Sequence, residues 1–217
     1  DLEGEDLLEV ELRLQAMAEC YNERTEGFSG KIKTKFPFYL YSQISDYQAA
    51  VAREGEDPDD VRSAGQYESD NRLLRATVES IDDPQDAWRI VQHEGFHQFA
   101  DVVISPDTDL PTWLNEGMAE YFGKGIWTGD TLVCGIVSDG RELEDDDFNS
   151  LELIQKYLQY GDPKPWAQML RIDRKTWNEE MDWKNYLQAW SMVHFLVHGD
   201  DGAYRKAFSR YIEMCSD

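Results

Sequence analysis

The sequence has few cysteines, few positive charges and no long apolar run. Its three cysteines among 217 residues form no Cys-x-x-Cys pair, which argues against a zinc site built from thiolates and leaves room for one disulfide. Lysine and arginine number 21 against 44 aspartates and glutamates and form no basic cluster, so we expect no nucleic-acid partner. No apolar run approaches the roughly 18 residues that a membrane span needs, so we expect no span in this chain.

The excess of acids gives a net charge of −23 at pH 7, which we interpret as a solvated surface rather than a site for a cationic partner. Hydrophobic residues still make up 41% of the chain, enough to bury a sizeable core. The chain begins with DLEGEDLLEV, which contains neither an initiator methionine nor the apolar segment of a signal peptide. We therefore expect a fragment of a longer protein, whose cellular location the sequence leaves open, an extracytoplasmic location included.

Hydrophobic periodicity predicts an α+β protein with a single domain over residues 1–217. We expect an α/β lobe over 1–103, a mainly helical lobe over 104–217, and a cleft between them. The predicted elements are a helix over 5–22, a half-buried strand within 31–41, a short helix capped by Ser45 and Gln48, one or two strands within 67–78, helices over 82–101 and 110–125, a hairpin within 125–143, and helices near 151–159, 164–171, 174–181, 184–198 and 202–215.

The predicted helix over 82–101 contains the string HEGFH, in which His93 and His97 are four positions apart. Residues at i and i+4 share one helix face, so both imidazoles can reach a point roughly 2 Å from each, as zinc requires. Glu94 lies beside His93 and can contact a water on the metal without binding the metal itself. The alternative is an ordinary pair of histidines, and a third ligand distinguishes the two interpretations.

Glu116 is the candidate third ligand. Eighteen residues separate it from His97, and it lies on the second predicted helix in the string WLNEGMAEYF. The connection between the two helices is long enough to turn the chain back, so position, helix and string together favour a zinc site formed by His93, His97 and Glu116.

A second histidine pair, His194 and His198, has the same spacing but no acid within it. Asp200 and Asp201 follow and would have to complete any second metal site. We favour a structural interpretation, in which His194 packs in the core or lines the cleft and His198 marks the end of a helix.

These strings resemble those of the gluzincin metallopeptidases, the group of thermolysin and the zinc aminopeptidases. In the aminopeptidases HExxH is followed by eighteen residues and then by a glutamate within WLNEG. The likeness is closest to a bacterial branch described as a domain of unknown function, whose YxQAWxxVHFL helix reads YLQAWSMVHFL here, at 186–196. The resemblance covers about residues 30–215 and implies a zincin-like fold of two lobes, with a small mixed sheet and an active-site helix along the base of the cleft.

The resemblance also implies roles for the residues of the two strings. His93, His97 and Glu116 would bind one Zn²⁺ ion, which lowers the pKa of a water toward about 7. Glu94 would be the general base that takes a proton from this water and delivers it to the leaving amine. The implied function is a zinc metallopeptidase that acts on a peptide or protein substrate.

Two further groups would assist this chemistry. The aminopeptidases stabilise the oxyanion with a tyrosine, for which Tyr186 is the first choice and His194 the substitute. Glu120, one turn after Glu116 on the same face, would accept the free N–H of a zinc-binding histidine. The alternative for Tyr186 and Glu120 is an ordinary place on a helix surface.

The resemblance implies that an extended peptide adds to an edge strand before the active-site helix, for which residues 71–78 are the candidate. Aminopeptidases carry there a Gly-x-Met-Glu-Asn segment whose glutamate holds the substrate amine. Here GQYES at 65–69 keeps Glu68 but lacks the Met and the Asn, which favours an endopeptidase. The alternatives are a zinc-bearing binding or scaffold module without turnover, and a structural domain whose histidines are coincidental.

Overall fold

The computed structural model describes residues 4–29, 31–33, 35–53, 64–79, 84–135, 150–180 and 182–216, and its α+β class confirms the prediction. Its helices are α1 (Glu5–Thr25), α2 (Ile44–Ala52), α3 (Pro84–Phe99), α4 (Thr112–Gly123), α5 (Ser150–Tyr160), α6 (Trp166–Met169), α7 (Arg174–Glu180), α8 (Trp183–Gly202) and α9 (Arg205–Ser216). Its strands are β1 (Phe38–Tyr41), β2 (Gly65–Glu68), β3 (Leu73–Thr77), β4 (Ile126–Trp127) and β5 (Leu132–Val133). None of the helices in these ranges is both long and apolar enough to cross a membrane.

A three-stranded sheet of order β1-β3-β2 lies against α3, with β1 parallel and β2 antiparallel to β3. The prediction that 71–78 provides the edge strand is wrong, because β3 is the central strand. Leu74 of β3 is paired with Phe38 on one side and with Tyr67 on the other. Four of the five residues of β3, including Arg75 and Thr77, are buried, and the local sequence does not reveal on how many sides the strand is paired.

Two predicted details of the first half differ from the structure. The strand predicted within 31–41 begins only at Phe38, since Pro37 has no N–H to donate to a sheet. The predicted cap at Ser45 does not form; α2 begins at Ile44, whose main-chain N–H donates to Glu79 Oε2 at 2.6 Å. The carboxylate of a distant residue thus provides the acceptor that a capping side chain would supply.

Helices α1, α3, α4 and α8 pack around the centre of the molecule. Helix α3 contacts both α1 and α4, and the stacked rings of Phe96 and Phe122, 4.9 Å apart, join α3 to α4. Helix α8 packs along α4, where a Cβ added at Gly117 would lie 2.7 Å from the carbonyl oxygen of Ala189. Because only glycine allows the two backbones to approach so closely, Gly117 brings the first turns of α8 beside α4.

The helical second half follows the prediction within a few residues at most ends. Regular α8 geometry ends at His198, because Gly199, Asp200 and Asp201 have non-helical backbone angles, as expected for a helix end there. The predicted hairpin is β4 and β5, with its turn at 128–131. The remainder of that prediction, residues 136–143, lies outside the described residues.

A disulfide between Cys20 on α1 and Cys134 after β5 joins the two halves across 114 positions of sequence. We expect the double variant Cys20→Ser/Cys134→Ser to lose about 2–5 kcal/mol of unfolding free energy, because the cross-link restricts the unfolded chain. Urea denaturation measures this loss, and the reduced wild-type protein should match the double variant. Cys215→Ser, which changes the free cysteine, is the control and should leave the midpoint unchanged. Equal stability of oxidised and reduced protein would contradict the prediction.

Candidate metal centre

Helices α3 and α4 bring His93, His97 and Glu116 to one point. The two Nε2 atoms of the histidines are 3.1 Å apart, and each lies 3.5 Å from Oε2 of Glu116. Ligand atoms placed tetrahedrally at roughly 2.0–2.1 Å from a zinc ion lie about 3.3–3.4 Å from one another. The spacing and chemistry of these three donors therefore fit a zinc ion with one position left open.

The second ring nitrogen of each histidine contacts a residue that is not one of the three candidate ligands. His93 Nδ1 lies 3.1 Å from Glu120 Oε1, and His97 Nδ1 lies 3.1 Å from Asn115 Oδ1. Because both partners are acceptors, each Nδ1–H can donate to its partner, which leaves each Nε2 as the nitrogen that faces Glu116 and would bind a metal. The sequence prediction included Glu120 but not Asn115. The position of Asn115 directly before Glu116 in the WLNEG string could have identified it.

The carboxylates around the centre favour positive charge there. Burial lowers the pKa of His93, but hydrogen bonds with Glu116 and Glu120 outweigh burial and raise the pKa to about 10. Burial raises the pKa of Glu116, but the neighbouring His97 and His93 lower it well below its ordinary value. A divalent metal ion would supply the positive charge that this arrangement of groups stabilises.

Glu94 and Tyr186 line the same cavity, of about 390 Å³, as the three converging side chains. Glu94 follows His93 on α3, and Tyr186 lies in the first turns of α8, where Gly117 holds that helix against α4. Burial raises the pKa of Tyr186, and the negative charge of Glu116 raises it further, so the hydroxyl keeps its proton at neutral pH.

The structure places His194 outside the cavity of this centre, which favours Tyr186 over its substitute. It lies two turns further along α8 and lines a separate cavity of about 660 Å³ with His198 and Trp190. The ring centroids of His194 and His198 are 4.6 Å apart, and His198 Nε2 is 2.9 Å from the hydroxyl of Tyr121. Over the part of the chain that the structure describes, the only group with metal-ligand geometry is His93, His97 and Glu116.

Residues 87–217 match a family described as "Protein of unknown function (DUF1570)", and this match covers more than half of the chain. The chain belongs to the DUF1570 family. The match includes the HEGFH and WLNEG strings and Tyr186, and it begins after the three-stranded sheet. No match to this DUF1570 chain is found among curated proteins, and none among solved structures.

Strand β2 provides an edge of the sheet beside the cavity of the DUF1570 chain. Tyr67 of β2 lines the cavity and donates its hydroxyl proton to Asp101, while Glu68 forms an ion pair with the buried Arg75. Asp101 lies on a π-helical segment, Ala100–Ile104, which continues α3 and which the sequence did not predict. Such segments occur often at functional sites, and this one places Asp101 in the cavity wall.

We expect the outer partners of the histidines to control metal affinity in this DUF1570 protein. Glu120→Gln and Asn115→Ala should each weaken zinc binding by about 10- to 100-fold, because the histidine that loses its partner is less well oriented and less basic. Titration against a chelating dye measures the affinity, with Glu213→Gln on α9 as the matched exposed control. Unchanged affinity in both site variants would show that these contacts do not orient the ligands.

Proposed function

We propose that this protein is a zinc-dependent peptidase. The observation that carries the proposal is that Glu94 and Tyr186 line one cavity with the converging His93, His97 and Glu116. A centre of two histidines and one carboxylate with an open position is the usual arrangement of catalytic zinc in peptidases. The likeness of HEGFH and WLNEG to the corresponding strings of the gluzincin metallopeptidases supports the same function.

A bound zinc ion would supply a Lewis acid that polarises a carbonyl group and lowers the pKa of a water molecule. His93, His97 and Glu116 would hold the ion. Glu94, which is not among the three, would accept the proton of the attacking water and deliver it to the leaving amine. The hydroxyl of Tyr186 would donate a hydrogen bond to the oxyanion that forms on the substrate carbonyl.

The surroundings of the cavity favour an endopeptidase over an aminopeptidase. The carboxylate of Glu68 is paired with Arg75 and does not line the cavity, so it is not free to bind a substrate amine. Among the described residues β2 pairs with β3 alone, so its outer edge can bind an extended peptide by main-chain hydrogen bonds. A peptide held there would pass Tyr67 at the cavity wall.

The test combines metal analysis with digestion of a diverse peptide library. Purified wild-type protein should contain close to one zinc per chain and should cleave internal bonds, with activity lost on chelation and restored by added zinc. His93→Ala and Glu116→Ala should lose both the metal and the activity, because each removes a ligand. His198→Ala is the matched control, since its ring lies outside the centre.

Equal loss of zinc from His198→Ala would show that the wrong histidine pair had been chosen. A wild-type protein that binds zinc but cleaves no member of the library would overturn the peptidase proposal. The alternative, a zinc-bearing binding or scaffold module, would then take its place.

A further inference from the structure

Arg174 is the only lysine or arginine among the described residues that line the cavity of the metal centre. Four acids line the same cavity: Glu94, Asp101, Asp109 and Glu116. The guanidinium of Arg174 forms no ion pair or hydrogen bond with any residue that the structure describes. The side chain of Arg174 is exposed, so its guanidinium is solvated and remains accessible to a ligand that enters the cavity.

The packing of α7 against α8 fixes the backbone position of Arg174. Trp177 lies three residues after Arg174 and therefore on nearly the same face of α7. Its buried ring meets the ring of Tyr186 edge-on, with centroids 5.0 Å apart. At the end of α7, Glu180 accepts a hydrogen bond from Asn185 at 2.8 Å. These contacts hold α7, whose first residue is Arg174, against α8, which carries Tyr186.

The acids of the metal centre do not form an ion pair with Arg174. Glu116 contacts the two histidines, and Asp101 accepts from Tyr67 and lies 3.9 Å from Arg72. A guanidinium binds a carboxylate through two parallel N–H···O hydrogen bonds, which are stronger than hydrogen bonds between neutral groups. A carboxylate of a ligand in the cavity has the geometry and charge to bind the guanidinium of Arg174 in this way.

We propose that Arg174 binds a carboxylate of the peptide substrate, an inference that rests on the proposed peptidase function. The carboxylate is that of an aspartate or glutamate side chain or that of the peptide's C-terminus. Arg174 would thus select substrates rather than take part in bond cleavage.

Binding measurements test the proposal without turnover. The zinc-loaded Glu94→Gln variant is titrated with fluorescein-labelled hexapeptide libraries, and the dissociation constants are measured by anisotropy. One pair of libraries differs only in a C-terminal carboxylate or amide. The other pair is amidated and carries Asp or Asn at each position in turn. One acidic library should bind about tenfold more tightly than its neutral counterpart, and which pair shows the preference identifies the source of the carboxylate.

Arg174→Gln in the same background should abolish this preference, whereas Arg171→Gln, which changes an exposed arginine outside the cavity, should keep it. Equal binding of acidic and neutral libraries, or a preference that survives Arg174→Gln, would overturn the proposal for Arg174. Digestion of the same libraries by the wild-type protein reports separately on peptidase activity. Cleavage without a carboxylate preference rejects Arg174 alone, and an Arg174-dependent preference without cleavage rejects the peptidase function alone.

Discussion

Replacing Glu94 with glutamine should leave about one zinc per chain and reduce peptide hydrolysis by about 10²–10⁴-fold. The amide has nearly the shape of the carboxylate but cannot accept the proton of the attacking water. Glu94 lies in the cavity beside the converging donors and is not one of them, so the metal should remain bound. Metal analysis and the rate of library digestion, measured on the same preparation, give both quantities.

Glu213→Gln on α9 is the matched control for Glu94→Gln and should retain full activity. A Glu94→Gln protein that loses zinc in proportion to activity would show that Glu94 is a ligand. Full activity in Glu94→Gln would require a different base.

Tyr186→Phe should lower kcat by about 10²–10³-fold with little change in KM. The change removes only the hydroxyl, whose hydrogen bond to the oxyanion matters in the transition state and not in substrate binding. The phenylalanine ring can keep its contact with Trp177, 5.0 Å away in the wild-type protein, so α8 should stay in place. Steady-state kinetics on a single fluorogenic peptide separate kcat from KM.

His194→Ala is the decisive comparison for Tyr186→Phe. His194 lines a different cavity, so its loss should leave kcat close to that of the wild-type protein. If His194→Ala abolished turnover and Tyr186→Phe did not, the roles of the two residues would have to be exchanged.

The convergence of His93 and His97 could be predicted because it depends on local helix geometry alone. The prediction of Glu116 depended on its position, its helix and the surrounding string, and the resemblance supported it, since no local rule says which acid of a later helix returns to the first. The structure brings all three together, while their binding of zinc and the division into lobes at residue 103 stay predictions. The α+β class and most helices followed from periodicity for the same local reason.

What the sequence did not reveal depends on contacts between distant segments. The order of the strands places β2, and not β3, at an edge of the sheet, and the local sequence of a strand does not reveal which strands pair with it. Asn115 acquires its role only because α4 passes across α3 at His97. The cation at Arg174 could not be noticed in the sequence, because its lack of a partner is a property of the folded cavity.

The contact at Gly117 determines where the cavity can be enlarged. With the backbones of α4 and α8 already touching, a larger side chain at that position would push apart the two helices that carry Glu116 and Tyr186. Tyr67 also lines the cavity but lies on an edge strand, where a smaller residue can replace it without disturbing a helix pair. Engineering that aims to admit bulkier peptides should therefore begin at Tyr67 and keep Gly117 as it is.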